Sequence, residues 1–261
     1  DQDARQIEYD GNGQLILTPS MADDATDLDL YVMDVNRREV QRIVFLPGID
    51  SGLLQPADCL GVDPYFVWLS LPYSGDLNLS VMVVLDLGTF TLEAIQAFPR
   101  IRRFCFDGKH MWVVSQYNLA SGAISFFQKY WVSSGGFQII NAIPQSGRVV
   151  DMAFDGAFLW ATFSGERVPV RINVNTDEVF PLGEHAMDDA RMVCDGSFMW
   201  LIEGNGAMHK YDCASASAVG RHNLPGDVRF RNGLFDGTHL WFNWDEGNGD
   251  GPFKVAKLLA G

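Results

Sequence analysis

Asp155-Gly-Ala-Phe-Leu-Trp160 is the clearest copy of a pattern that recurs along this chain of 261 residues. An Asp followed five residues later by Trp, or once by Leu, begins at Asp10, Asp63, Asp107, Asp155, Asp195 and Asp236. Successive copies begin 40 to 53 residues apart, which is the period of a β-propeller blade with insertions early in the chain. A repeat of this kind specifies a scaffold and leaves the function open.

The fourth copy indicates how one repeat forms one blade. The apolar run 149–154 ends at Asp155-Gly156, and Asp-Gly favours the positive φ angles of a tight hairpin turn. The aromatic and apolar run 158–163 predicts a second strand. Residues 168–174 and 178–182 predict a third and a fourth strand, each bounded by turn-forming residues. Four antiparallel strands in about 40 residues make one propeller blade.

The predicted fold class is therefore all-β, a six-bladed β-propeller of four-stranded antiparallel blades, with five or seven blades as alternatives. The blades fall approximately at 1–56, 57–99, 100–146, 147–187, 188–226 and 227–261, with no linker between them, which predicts a single domain. Packing between neighbours buries both faces of each blade, and the repeated Trp is a natural wedge there. The last copy supplies three strands, so either that blade is three-stranded or the natural protein is longer.

The repeated Phe/Cys-Asp-Gly-x-x-Leu/Met-Trp resembles the blade hairpins of YVTN-type and streptogramin-lyase-like β-propellers, over essentially the whole chain. In the fifth copy Glu203 occupies the position of the Glu in the usual lyase run Trp-Phe-Thr-Glu, whereas Ser115, Phe163 and Trp244 stand there in other copies. The resemblance implies a catalytic His and a magnesium ion for a lyase, and no His here stands on a matching position. For other members it implies binding, sensing or virion and tail roles, which favours an extracellular, periplasmic or virion location.

Composition restricts the partners. The net charge is −14, from 33 acidic and 19 basic residues, and a surface this acidic repels phosphate backbones and anionic lipids. Nucleic acid is therefore not expected as a partner. No run approaches the roughly 18 apolar residues that cross a bilayer, so no membrane insertion is expected either.

The four cysteines give no metal-binding pattern. Cys59, Cys105, Cys194 and Cys213 contain no Cys-x-x-Cys pair, so a zinc or iron–sulfur site has no support. Buried thiols acting as small apolar side chains are the expectation. Cys59 and Cys105 share the same alternation phase in consecutive repeats, which leaves a disulfide between them open.

Arginines gather just before the repeats. In a propeller the loops that enter the inner strands open on the face where binding sites concentrate. Guanidinium groups there suit carboxylates and phosphates. We therefore predict an anion-binding channel mouth, with Asp151 among its acidic neighbours, formed by Arg5, Arg102, Arg103, Arg191 and Arg231. Ion pairs that simply join the blades are the structural alternative.

Catalytic and metal candidates are few. His185 is the one histidine placed to reach the mouth as a general base, with Glu203 near it. Asp245, Asn248 and Asp250 are spaced loosely like calcium ligands, but Lys257 stands where an EF-hand needs Glu. A looser Ca²⁺ or Mg²⁺ site and ordinary solvated turns are the two alternatives, and no other cofactor is predicted.

The predicted function is recognition or assembly without catalysis. Rigid blade faces and varied loops would bind a protein or a glycan, and the insertions at 19–28, 72–78 and 116–122 are the expected contact elements. The protein could be one part of a larger virion, tail or extracellular assembly. The alternative is a lyase or hydrolase acting on an anionic small molecule at the arginine-lined mouth.

Overall fold

The computed structural model describes most of the chain between Ala4 and Leu259. The described residues are 4–9, 14–19, 28–34, 36–37, 39–46, 54, 59–73, 75–119, 122–165, 167–183, 186–187, 189–223, 229–235, 238–245 and 254–259. They fall into two compact units, Asp1–Ser146 and Gly147–Gly261, each of which is described by itself. Among the described residues, no helix is long and apolar enough to cross a lipid bilayer.

The first unit contains two antiparallel sheets. A four-stranded sheet has the order β1-β2-β3-β4, and a seven-stranded sheet runs in sequence order from β5 to β11. The strands are β1 (Ala4–Tyr9), β2 (Gln14–Pro19), β3 (Leu28–Asp34), β4 (Glu39–Leu46), β5 (Cys59–Val62), β6 (Phe66–Tyr73), β7 (Asp76–Asp86), β8 (Leu92–Phe106), β9 (His110–Leu119), β10 (Gly122–Ser133) and β11 (Gly136–Ser146).

The second unit contains three antiparallel sheets, two of four strands and a last one of three within its described residues. The strands are β12 (Val149–Phe154), β13 (Phe158–Phe163), β14 (Val170–Asn173), β15 (Val179–Pro181), β16 (Arg191–Cys194), β17 (Phe198–Ile202), β18 (Ala207–Asp212), β19 (Ala218–Asn223), β20 (Arg229–Phe235), β21 (His239–Asp245) and β22 (Lys254–Leu259). The three-stranded last sheet is what the sequence predicted for the final blade.

Strand β8 belongs to two blades at once. Its first half pairs with β7, from Leu85↔Leu92 to Leu79↔Pro99. Its second half pairs with β9, beginning at Arg100↔Gln116. The outer strand of the second blade and the inner strand of the third are therefore one continuous strand. Counted this way, the described residues form six blades: β1–β4, β5–β8, β8–β11, β12–β15, β16–β19 and β20–β22.

The repeat pattern is explained by a hydrogen-bonded lock at each hairpin. In the fourth blade Asp155 Oδ1 accepts the N–H groups of Ala157 and Phe158 at 2.8 and 2.7 Å. Its Oδ2 accepts the indole Nε1–H of Trp160 at 2.6 Å. The same indole bond recurs at 2.6 to 2.8 Å in the pairs Asp63–Trp68, Asp107–Trp112 and Asp195–Trp200. The carboxylate therefore fixes the turn with one oxygen and the Trp with the other.

The locked indoles lie in the blade cores. Trp68, Trp112 and Trp160 are fully buried, as expected for large side chains that provide most of the apolar area between sheets. In the first unit the core includes a cluster around Trp68, Phe104 and Met111. Gly61 on β5 lies against this cluster, where a Cβ atom would stand 2.4 Å from Cβ of Phe104. The close approach of β5 and β8 therefore requires Gly at this position.

A cation covers the Trp in three successive blades. Lys129, Arg171 and Lys210 stand directly opposite Trp112, Trp160 and Trp200 in the strand register. Lys129 Nζ lies 5.2 Å from the Trp112 ring and Lys210 Nζ lies 4.7 Å from the Trp200 ring, within cation–π range. The Arg171 guanidinium lies 4.2 Å from the neighbouring Phe158 ring. These basic side chains therefore support the apolar interior of the blades.

The turn between the third and fourth strands is also fixed by an acidic or amide side chain. Asp86, Asn173 and Asp212 each accept backbone N–H groups from the turn that follows. At Asp212 both the N–H and the hydroxyl of Ser215 donate to Oδ1, at 2.7 and 2.8 Å. Because these bonds favour the charged carboxylate, they hold the pKa of Asp212 below its ordinary value of 3.8.

We expect Ser215→Ala to raise the pKa of Asp212 part of the way back toward 3.8, because the hydroxyl donor is lost and the backbone donor remains. A depressed carboxyl pKa stabilises the fold above the unfolded value, and that contribution is lost as pH falls through the folded value. The variant should therefore lose less stability on acidification. NMR titration of the carboxyl carbon measures the shift, with Asp86 beside Thr89 as the unchanged internal control. An unaltered Asp212 titration would contradict the assignment.

Candidate functional site

A chain of side-chain hydrogen bonds joins the second and third blades where β7 begins and β9 ends. Arg102 Nε donates to Oε1 of Gln116 at 2.7 Å. Gln116 Nε2 donates to Oδ1 of Asn118, and Asn118 Nδ2 donates to Oδ1 of Asn78. Gln116 is only 2 % exposed. We call these four residues the amide ladder; it links two of the three insertions that the sequence predicted as contact elements.

The other face of the same hairpin is apolar and exposed. Alternation along β9 directs Tyr117 and Leu119 away from Gln116 and Asn118. Tyr117 is 45 % exposed and Leu119 is 50 % exposed. The Tyr117 ring packs edge-on against Phe126 of β10, with centroids 5.3 Å apart. We call Tyr117, Leu119 and Phe126, together with the amide ladder, the hairpin surface.

The predicted anion-binding residues make structural bonds wherever they are described. In the first unit Arg103 Nη1 donates to the carbonyl of Arg102 at 2.9 Å. In the second unit Arg191 Nη1 donates to the carbonyl of Val150 at 3.0 Å, and Asp151 Oδ2 accepts the N–H of Met192 at 2.9 Å.

Arg191 and Asp151 therefore bond to the backbone of each other's strand, which joins β16 to β12. This arrangement fits the structural alternative that the sequence left open for these two residues. The side chains of Arg5 and Arg231 lie outside the described residues, although their strands are placed. Anion binding by the five arginines stays a prediction.

Glu203 has a histidine partner that sequence reasoning missed. His209 Nε2 and Glu203 Oε1 are 2.8 Å apart, and both side chains are largely buried. Glu203 follows β17 and His209 lies on β18, so the short 203–206 turn brings them together. Burial, with a smaller effect from Glu203, raises the pKa of Tyr211. The spacing across a Gly-Asn-Gly turn was the available signal for this pair.

The other candidates are only partly visible. His185, Asn248 and Asp250 lie outside the described residues, as does the side chain of Asp245 at the end of β21. Their proposed roles stay predictions. Within the described part of the chain, no three His, Cys, Asp or Glu side chains come together as a metal site. Cys59 and Cys105 are free thiols, so the disulfide that their alternation phase left open is not formed.

Comparisons with known proteins identify the fold. No protein-family model and no curated protein sequence matches this chain. Among solved structures, one chain of the "Crystal Structure of Mitotic Checkpoint Complex" is similar, with a TM-score of 0.67 and 11% sequence identity. The match covers 98% of this chain and 74% of that one. Together with the repeated antiparallel sheets, this likeness shows that the chain is an all-β protein with a β-propeller fold, which confirms the predicted fold class.

Proposed function

We propose that this propeller is a non-enzymatic binding module that contacts a protein partner through the hairpin surface. The single observation that carries the proposal is the exposed pair Tyr117 and Leu119 on a hairpin whose opposite face is fixed by the amide ladder. Protein interfaces favour aromatic side chains and Arg and are depleted in Lys, Glu and Asp. The hairpin surface has this composition, without any acidic residue, on a chain whose net charge is −14.

The ladder also makes the hairpin a preorganised binding element. Hydrogen bonds from Arg102 through Gln116 and Asn118 to Asn78 connect the end of β9 to the neighbouring blade. A loop already fixed in its bound conformation loses little conformational entropy when a partner binds. Tyr117 is itself a rigid side chain that offers a large contact area with few rotatable bonds.

The wider setting of the proposal rests on likeness. The similar solved structure is, by its title, a complex, and its role belongs to that protein; it supports a binding use of the propeller in general. The resemblance of the repeats to YVTN-type and streptogramin-lyase-like propellers supports a place in an extracellular, periplasmic, virion or tail assembly. A glycan is the alternative ligand class, because aromatic rings beside amide groups also suit sugars.

The test compares partner capture by matched variants of the whole chain. Tyr117→Ser/Leu119→Ser removes the apolar face, and Val40→Ser/Val219→Ser removes two exposed apolar side chains on outer strands. Truncating hot-spot side chains typically weakens binding by about 1–2 kcal/mol each, so the first variant should lose at least about tenfold in affinity. Quantitative affinity purification from the source organism should show proteins lost with the first variant and retained with the control.

Two results would overturn the proposal. Equal capture by both variants would place the contact elsewhere on the chain. Binding of wild type to a glycan array, abolished by Tyr117→Ser/Leu119→Ser without any lost protein, would replace the protein partner by a glycan. Circular dichroism and thermal melting of each variant establish that the change in binding does not come from unfolding.

A further inference from the structure

Two cysteines far apart in the sequence meet in the fifth blade. Cys194 is the last residue of β16, and Cys213 directly follows β18. Their thiols are hydrogen-bonded to each other. Both side chains pack in one core cluster, with Tyr211 and Met199. The structure holds both as free thiols.

The repeat hairpin produces this meeting. The turn after Cys194 carries the Asp195 lock, and the carbonyl of Ser197 in that turn accepts the N–H of Cys213 at 3.0 Å. The N–H of Gly196 donates to Sγ of Cys194 at 3.4 Å. Backbone bonds on both sides therefore hold the two sulfur atoms in place, on strands separated by β17.

The two thiols differ in exposure and acidity. Cys194 is partly exposed, whereas Cys213 is buried. The hydrogen bond from Cys213 lowers the pKa of the Cys194 thiol, against the opposing effects of burial and of the Asp155 and Asp195 carboxylates. The same hydrogen bond and burial raise the pKa of Cys213. Thiolate character therefore concentrates on the more accessible sulfur, which is the arrangement of an attacking thiol beside a second thiol that resolves the adduct.

We propose that Cys194 and Cys213 form a thiol–disulfide exchange site that reacts with a small-molecule disulfide such as oxidised glutathione. Cys194 Sγ attacks one sulfur of the reagent, the reagent's S–S bond breaks, and one thiol leaves with the Cys194 proton. Cys213 Sγ then attacks Cys194 Sγ, and the second thiol leaves with the Cys213 proton. The chain loses two electrons and two protons, and the reagent gains them as two thiols.

The disulfide would close a loop within one blade. It would join the end of the inner strand β16 to the end of the third strand β18, across the core cluster around Trp160 and Tyr211. A cross-link of this kind restricts the unfolded chain and raises stability where the native geometry accepts it. The oxidised protein should therefore melt several degrees higher than the reduced protein, and dithiothreitol should reverse the change.

The experiment titrates the whole chain against oxidised and reduced glutathione and records intact mass, disulfide-mapped peptides and melting temperature. We expect loss of two hydrogen atoms, a Cys194–Cys213 linked peptide and a raised melting temperature. Cys213→Ser should instead accumulate a glutathione adduct on Cys194, and Cys194→Ser should show neither product. Cys105→Ser, which alters a partly exposed cysteine in another blade, is the matched control and should behave as wild type.

Each contrary result is distinct. A wild-type chain that keeps its full thiol count in excess oxidised glutathione would overturn the proposal. So would a mapped Cys59–Cys105 disulfide in place of the fifth-blade pair, or a Cys213→Ser chain without an adduct. Peptide mapping on the wild type alone decides the pairing if a serine variant fails to fold.

Discussion

Trp112→Ala should lower the free energy of unfolding by about 3–5 kcal/mol, the range for truncating a buried Trp in a core. Trp112 is fully buried on β9 and donates its indole N–H to Asp107 at 2.8 Å. The substitution leaves a cavity, removes one donor from the buried Asp107 carboxylate and exposes Lys129 to the loss of its ring contact. Because all three effects act in one blade, the loss should lie toward the upper part of that range.

The same blade supplies the control. Trp131 on β10 is 45 % exposed, so Trp131→Ala should change stability by no more than about 1 kcal/mol. Urea unfolding followed by far-ultraviolet circular dichroism measures both variants and leaves the remaining Trp fluorescence as a second probe. Similar losses for Trp112→Ala and Trp131→Ala would show that the hairpin lock contributes little and that the repeat is conserved within the chain for another reason.

Gly61→Ala should destabilise the first unit by about 1–3 kcal/mol, the usual effect of overpacking a core. The added methyl would stand 2.4 Å from Cβ of Phe104 and 3.1 Å from its Cγ. Since Cβ of Phe104 is fixed to the backbone, no side-chain rotation relieves this contact, and β5 and β8 must move apart. That movement would loosen the packing of Trp68 against Phe104, whose rings are 6.4 Å apart.

Gly204→Ala is the matched substitution. A methyl group at Gly204 would meet nothing within 4 Å, so the variant should be neutral or stabilised by up to about 1 kcal/mol through reduced freedom of the unfolded chain. Thermal and urea unfolding of the two alanine variants should separate them clearly. Equal stabilities would mean that β5 and β8 are not held at the distance seen in the structure.

Blade architecture was readable from the sequence because it depends on local patterns. The predicted strands 149–154 and 158–163 agree with β12 and β13 at both ends, since an apolar run and an Asp-Gly turn define them locally. The third and fourth strands are shorter than predicted, at Val170–Asn173 and Val179–Pro181. Pro169 explains part of this difference, because a proline lacks the N–H that would continue the ladder.

Contacts between side chains were less accessible to sequence reasoning. The sequence assigned Trp160 a packing role, whereas the structure adds the indole bond to Asp155, which explains why the two are five residues apart. Arg171 opposite Trp160 required the strand register, which composition does not provide. Periodicity reports which face a residue occupies; the atom that it bonds depends on rotamers and on neighbouring strands.

The candidate sites show the same limit. Insertion lengths located the loops around Asn78 and Gln116, but only the folded chain places these loops within one hydrogen-bond chain. Asp151 was grouped with the arginines by position, although its carboxylate bonds to a backbone N–H 41 residues away. Cys194 and Cys213 have no spacing motif, because their approach depends on the Ser197 carbonyl bond between two strands.

The shared strand β8 restricts how this chain can change in length. An insertion of one residue between Pro99 and Arg100 would shift one half of β8 against its partner strand and turn every side chain in that half to the opposite face. Between β15 and β16, by contrast, residues 182–190 lie outside the named strands. Additions or deletions during evolution can therefore be absorbed at the later junction, whereas the second and third repeats are bound to a fixed separation.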